Sequence, residues 1–372
     1  MKLTVQIQLL PDDFQKTLLL DTMSAFNAAA SKAAEIGFGA GRFSRVTLHH
    51  LCYFKLRAQF GLSAQMAVRA IAKAAECFVR DKSYNPKFRS HGAMTLDDRL
   101  FAFKGIDRVS ILTLQGRQRI PIIMGEYQRG RLNRLKGQAD LVYRDGKFFL
   151  LCTADLPEDA PIKPKKFLGV DLGIVNIAAT SDGETFTNDQ IENVRGRYAK
   201  RRRLLAMKTA LRFKRRTRKN ARRAIKQTRG RESRFRRDMN HCISKRLVAK
   251  AKGTGRGIAL EDLRGIRDRA RFRRCQRARM SSWSFAQLRQ FIEYKGKLVG
   301  IPVVAVDARN TSRSCSRCGH VSKSNRKSQA VFRCRACGFT AQADIQAAVN
   351  IAARAVVNRP IVTQRHSDLR VA

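Results

Sequence analysis

The sequence predicts two folds in series: a β-barrel or sheet interrupted by helices, then an α/β domain with a small metal-binding insertion. Three observations carry this. The chain opens on a strand, passes through helix-period segments and returns to short strands. A proline-rich stretch then precedes an apolar strand bearing one acid, and two C-x-x-C pairs lie near the C-terminus.

Leu3, Val5, Ile7 and Leu9 alternate with Lys2, Thr4, Gln6 and Gln8, the period of a strand with one buried face. Pro11-Asp12-Asp13 ends it, and the aspartates cap a helix predicted to about Ala34, with Phe14, Leu18, Phe26 and Ala30 near helical spacing. A second helix is predicted from Ser63, carrying Met66, Ala70, Ala74 and Phe78. From about Leu96 to Leu156 the pattern turns to short strands, including a hairpin in which Asp145-Gly146 joins Leu141-Val142-Tyr143 to Phe148-Phe149-Leu150. Pro157, Pro161 and Pro164 mark the main domain boundary.

The formal net charge is +47, with residues 1 to 160 at +9 and residues 161 to 372 at +38. A surface so basic calls for a polyanionic partner. No apolar run reaches the roughly 18 to 20 residues of a membrane span. The N-terminus lacks the charged head and apolar block of a secretory signal, so a reducing cytosol is the expected compartment. Residues 195 to 237 hold 21 Lys/Arg against Glu232 alone, yet Tyr198, Leu204, Leu205, Leu211, Ile225 and Phe235 recur at helical spacings, which predicts a basic helical hairpin. A second patch, Arg264 to Arg279, has eight arginines against Asp268.

The run from Phe167 to Ala178 reads as an apolar strand with Asp171 in its middle, and a charge there is costly unless a metal or partner compensates it. Gly257-Ile258-Ala259-Leu260-Glu261 is a short strand ending in an acid, and Asp344 opens a helix running to about Ala352. Each acid alone could sit on an edge, end a strand or cap a helix. Two strand acids and one helix acid together match a two-metal phosphodiester nuclease, in which hard oxygens hold two Mg²⁺ ions about 3.5 to 4 Å apart. His49-His50 has no neighbouring pattern that makes it a metal or nucleophile site.

Cys315, Cys318, Cys334 and Cys337 form two knuckles, each followed by a glycine, Gly319 or Gly338, at paired-knuckle zinc spacing. Four thiolates close a tetrahedral shell without His320, so the one zinc would be structural. The other five cysteines are scattered, which argues against a disulfide framework.

Gly169-Val170-Asp171-Leu172-Gly173, Leu260-Glu261, Asn310-Thr311-Ser312 before the knuckles, and Ala343-Asp344 with Ala347-Ala348 and Asn350 resemble the motifs of the TnpB family of transposon-encoded proteins, ancestral to miniature type V CRISPR effectors. The resemblance covers roughly residues 166 to 355; residues 1 to 160 match in layout only. It implies an RNase H-like (RuvC) nuclease domain with an inserted zinc ribbon, preceded by a wedge-type β-barrel with a small helical recognition insertion. The implied domains are the barrel at 1–10 and 91–160, the insertion at 11–90, the nuclease domain at 161–310 with its basic hairpin at 195–250, the ribbon at 311–340, the third-motif helix at 341–355 and a disordered tail at 356–372.

The implied activity is RNA-guided DNA cleavage, with a guide RNA from the transposon end and double-stranded target DNA as partners, in a prokaryotic cytoplasm at the nucleoid. No membrane or small-molecule partner is expected. Asp171, Glu261 and Asp344 would be the catalytic acids holding two Mg²⁺, and Arg326 would correspond to an arginine that contacts the scissile phosphate. Candidate nucleic-acid contacts are Arg201, Arg202, Arg215, Arg216, Arg222, Arg223, Arg271, Arg273 and Arg274. A non-cleaving RNA- or DNA-binding regulator of transposition and an RNA-independent transposase remain alternatives on the sequence alone.

Overall fold

The computed structural model describes residues 1–210, 212–263 and 284–357, and the chain divides into two compact units, Met1–Pro157 and Glu158–Ala372.

In unit 1, the strands β1 (Lys2–Leu9), β2 (Met94–Leu96), β3 (Phe101–Lys104), β4 (Arg108–Thr113), β5 (Gly116–Ile123), β6 (Leu135–Arg144) and β7 (Lys147–Asp155) form one antiparallel sheet in the order β2-β6-β7-β1-β5-β4-β3. Its edge strands β2 and β3 are consecutive in sequence and joined by only residues 97–100, so the sheet curls into a nearly closed barrel. Asp145 and Gly146 both take positive φ, as the two-residue turn of the β6–β7 hairpin demands.

Three helices, α1 (Asp13–Gly39), α2 (Arg45–Phe60) and α3 (Ala64–Arg80), leave the barrel after β1, and α4 (Glu126–Arg129) is a single turn. Asp12 and Gln15 form a capping box on α1, and Ser63 caps α3. Helix α1 runs past Ala34 to Gly39 because Gly37 seats directly against Leu48 of α2. Helix α2 was not legible: it buries only Leu48, Cys52 and Leu56, while Val46, Leu51 and Phe54 face outward.

Unit 2 is built on a five-stranded sheet in the order β10-β9-β8-β11-β12, comprising β8 (Phe167–Asp171), β9 (Asn176–Thr180), β10 (Thr185–Thr187), β11 (Gly257–Glu261) and β12 (Val303–Val306). The first three strands are antiparallel neighbours, whereas β11 runs parallel to both β8 and β12. The single strand expected over 167–178 is therefore two, with Asp171 at the end of the first. Residues 172–175 turn the chain back, since Gly173 leaves space where a side chain would meet the Asn176 carbonyl at 2.7 Å.

Helices α5 (Asp189–Met207), α6 (Arg215–Thr228) and α7 (Arg231–Gly253) follow β10, so the expected basic hairpin is three helices, with Gly230 in the left-handed region separating the last two. Helix α8 (Phe285–Leu298) precedes β12, and α9 (Ala343–Val357) ends the described chain. Leu168, Val170, Ile258 and Leu260 pack with Ile243 and Leu247 of α7 and Leu288 and Ile292 of α8 on one face of the sheet. On the other face, Ala259, Val304 and Val306 pack with Ile351 and Ala355 of α9. Each fully buried leucine, isoleucine or valine among them contributes about 1.5–3 kcal/mol. A short hairpin, β13 (Val331–Arg333) and β14 (Thr340–Gln342), lies between β12 and α9. Among the described residues no helix is long and apolar enough to cross a membrane. The tail expected at 356–372 lies outside the described residues from position 358 onward.

Candidate nuclease site and cysteine cluster

Strand periodicity decides which face carries the acids. In β8, Leu168 and Val170 point toward α7 and α8, so Gly169 and Asp171 point toward α9. In β11, Ile258 and Leu260 take the first face, leaving Ala259 and Glu261 on the second. The parallel register pairs Val170 with Leu260, which places Asp171 and Glu261 one step further along adjacent strands. Helix α9 lies across this face. A Cβ at Gly169 would overlap the Ala348 carbonyl oxygen, so glycine is what lets the α9 backbone approach β8 this closely. Asp344, in the first turn of α9, is thereby brought to the two strand acids.

Asp344 is buried and both its oxygens are engaged: Asn176 Nδ2 donates to Oδ2 at 2.8 Å and Arg326 Nη2 donates to Oδ1 at 2.8 Å. The Thr311 hydroxyl donates to Glu261 Oε1. Burial, then the charges of Glu261 and Asp344, push the Asp171 carboxyl up to about 8, against the opposing pull of Arg326. Burial also raises Glu261, opposed by the Thr311 hydrogen bond and by Arg354 and Arg326. The site thus gathers more negative charge than its arginines offset. Asn176 was missed in the sequence, where it reads as an ordinary strand residue; its partner lies 168 positions away.

The four cysteines come together with all their sulfurs within 4.8 Å of one another. Cys315 Sγ and Cys337 Sγ are 3.7 Å apart, and Cys318 Sγ and Cys334 Sγ 3.5 Å. A tetrahedron with zinc–sulfur bonds of about 2.3 Å has edges of about 3.8 Å, so the donor set fits one zinc ion. The two knuckles repeat one turn: Gly319 N donates to Cys315 O and Gly338 N to Cys334 O, with both glycines at positive φ. Buried Asn325 ties them, donating to the Arg313 and His320 carbonyls and accepting from Arg335 N. Cys52 and Cys152 are buried, which pushes their thiols up to about 11 and about 12. His49 stacks on Tyr53 at 4.5 Å along α2 in unit 1.

Of the candidate nucleic-acid contacts, Arg201, Arg215, Arg216, Arg222 and Arg223 are exposed on α5 and α6. Arg202 Nη1 donates to Glu232 at 2.9 Å. Among the described residues, Arg215, Arg218, Lys219 and Arg222 line an open groove of about 330 Å³. Arg271, Arg273 and Arg274 lie outside the described residues.

Residues 151–264 match the family model described as "Probable transposase" (OrfB_IS605), and residues 285–351 match the "Cas12f1-like, TNB domain" model. A TnpB-like protein of Methanocaldococcus jannaschii is 35% identical over 123 residues, 33% of this chain and 44% of that protein. The chain is thus similar to TnpB-family proteins in the parts that these models match. The chain is also 33% identical over 244 residues to the CRISPR-associated endodeoxyribonuclease Cas12f1 of Sulfoacidibacillus thermotolerans, covering 62% of this chain and 54% of that protein. It thus spans about half the length of these relatives. The solved Cas12f1-sgRNA-target DNA complex contains a chain of the same fold, with a TM-score of 0.57 at 17% identity over 91% of this chain and 82% of that one.

Proposed function

We propose that this chain is an RNA-guided DNA endonuclease of a transposable element. In this reading unit 2 is an RNase H-like (RuvC) nuclease domain with an inserted zinc ribbon at 311–340. Unit 1 is a wedge-type β-barrel whose helical insertion, residues 11–90, takes part in target recognition. The observation that carries the reading is the convergence of Asp171, Glu261 and Asp344 from two adjacent parallel strands and one helix.

Three carboxylates that repel one another and offer hard oxygen ligands fit a pair of Mg²⁺ ions, with Asp171, Glu261 and Asp344 as the holding residues. Such a pair, when bound, activates the attacking water and stabilises the leaving oxygen of a phosphodiester. The chain's own contribution is orientation. Asn176 and Arg326 fix Asp344, Thr311 fixes Glu261, and Arg326, partly exposed beside Asp344, is the cation available to meet the scissile phosphate. The four cysteines hold a structural Zn²⁺.

The exposed arginines of α5 and α6 track the phosphates of a guide RNA or its duplex with target DNA, a role supported by the charge of +47 and consistent with the RNA and DNA named for the Cas12f1 complex. The guide would come from the transposon end, and the protein would work at the nucleoid of a prokaryotic cytoplasm. Sequencing of RNA that co-purifies with the protein tests this: a single discrete species, the guide, is expected. Protein that is free of RNA yet cleaves DNA would replace the reading with an RNA-independent nuclease.

A further inference from the structure

The hydrogen bond to Glu261 belongs to a longer chain of contacts that ends at the cysteine cluster. Thr311 is 2% exposed, and its single hydroxyl proton has two acceptors in reach, Glu261 Oε1 and the Ala308 carbonyl at 3.0 Å. The ionised carboxylate is the stronger acceptor. Thr311 is itself held from α9. Asn350 Nδ2 donates to the Thr311 carbonyl and to the Ser314 carbonyl, both at 2.8 Å, using both its protons on one short turn.

That turn is fixed at its start by Asn310, whose carbonyl accepts from Arg313 N and Ser314 N while its backbone sits at a φ of 61°. Ser314 leads directly into Cys315. One turn earlier on α9, Gln346 Nε2 donates to the Ser314 carbonyl at 3.2 Å, and its Oε1 accepts from Ser316 inside the first knuckle at 3.0 Å. The buried amides Gln346 and Asn350, four residues apart on one face of an otherwise alanine-rich helix, therefore grip the segment between the strand acid and the first cysteine pair.

We infer that Thr311 and Asn350 are positioning residues that couple the four-cysteine cluster to the carboxylate of Glu261, so that a folded knuckle is a condition for metal-competent geometry at the acids. This rests on the proposed nuclease reading. Groups that hydrogen-bond to metal-ligating carboxylates fix the ligand's orientation, and their loss typically costs about 10- to 100-fold in metal affinity or activity. Buried polar side chains with complete hydrogen bonding are also a rigid way to transmit such geometry, because a half-satisfied alternative is costly.

The test is Mn²⁺ binding to the full-length protein without nucleic acid, followed by titration calorimetry and by the spin-resonance signal of free Mn²⁺. Thr311→Val keeps the side-chain shape and removes the hydroxyl. It should weaken Mn²⁺ binding by about 10- to 100-fold while zinc content and melting temperature stay close to wild type. Thr311→Ser should restore binding, which a purely structural role of the threonine methyl would not predict. Asn350→Leu should weaken Mn²⁺ binding as well, and supplying the protein with excess zinc should not correct it. Wild-type Mn²⁺ affinity in Thr311→Val with zinc retained would overturn the coupling. If the wild-type protein itself binds no divalent ion at the acids, the nuclease reading fails instead, which separates the two claims.

Discussion

Asn176 donates to Asp344 at 2.8 Å across 168 residues of sequence, joining the first residue of β9 to the first turn of α9. The contact lies within unit 2 and closes most of its length in sequence. It exists because β9 turns back beside β8 just after Asp171, and because Gly169 lets α9 lie on the same face. The candidate site is thus a product of sheet order and one close helix–strand approach rather than of any local motif.

If Asp171, Glu261 and Asp344 jointly hold metal, alanine at any one of them should reduce DNA cleavage to below about a hundredth of wild type. RNA and DNA binding should be nearly unchanged, because carboxylates oppose phosphate binding when no metal is present. Cleavage timecourses and filter-binding curves on the same preparations read the two effects separately. Substantial residual cleavage in Glu261→Ala would remove that residue from the set.

The pH dependence of stability has a definite sign. The Asp171 carboxyl is held up at about 8, whereas the unfolded chain ionises it near its ordinary value of about 3.9. A raised carboxyl gives stability that is fully present below the unfolded value and is lost as pH rises through the folded one, so chelated, metal-free protein should lose stability from about pH 4 to about pH 8. Asp171→Asn carries no such penalty. In chelator it should melt above wild type at pH 8 and close to it at pH 4. The reverse order at pH 8 would mean that burial and the neighbouring acids do not hold the Asp171 carboxyl up.

Structural zinc contributes folding free energy of about 10 kcal/mol or more in small domains. Cys334→Ser should therefore unfold the two knuckles and disturb α9, whose first residue accepts its place through the Ala343 N to Ala330 O hydrogen bond. Elemental analysis should find about one zinc per wild-type chain and little in the variant. Active protein without zinc would contradict the assignment.

The basic helices are tested by salt. Arg215, Arg216, Arg222 and Arg223 are exposed on α6, while Ala221 and Thr228 are buried. Exchanging the four arginines for glutamine preserves helix propensity and should lower the slope of log K against log salt by roughly two to four, at about 0.7 to 0.9 per phosphate contact. Sequence preference should not shift, since phosphate contacts carry no base information. An unchanged slope would make this surface a bystander.

Much of the architecture was legible because it depends on period and punctuation. The alternation in β1, the Asp145-Gly146 turn, the caps at Asp12 and Ser63, and the cysteine spacing are all local signals. The three acids stand out as candidates in the sequence because a carboxylate inside or ending an apolar strand, or opening a small-residue helix, is costly without a reason. What escaped depends on tertiary partners. Helix α2 spreads its apolar residues around its axis and buries only three, which blurs the amphipathic period. The basic segment reads as a two-helix hairpin because the break at Gly230 lies within a continuous run of charge. Asn176 and Gln346 carry no local mark of function; only the pairing of β8 with β9 and the packing of α9 reveal what they hold.

The most direct test of the central claim is cleavage of supercoiled plasmid by the protein purified with its bound RNA, the plasmid carrying a sequence complementary to that RNA. The account predicts linear product with Mg²⁺ and wild-type protein, none in chelator, none with Asp171→Ala and none on a plasmid lacking the complementary sequence. Wild-type protein that retains the RNA and binds the matched plasmid but leaves it uncut in Mg²⁺ would contradict it.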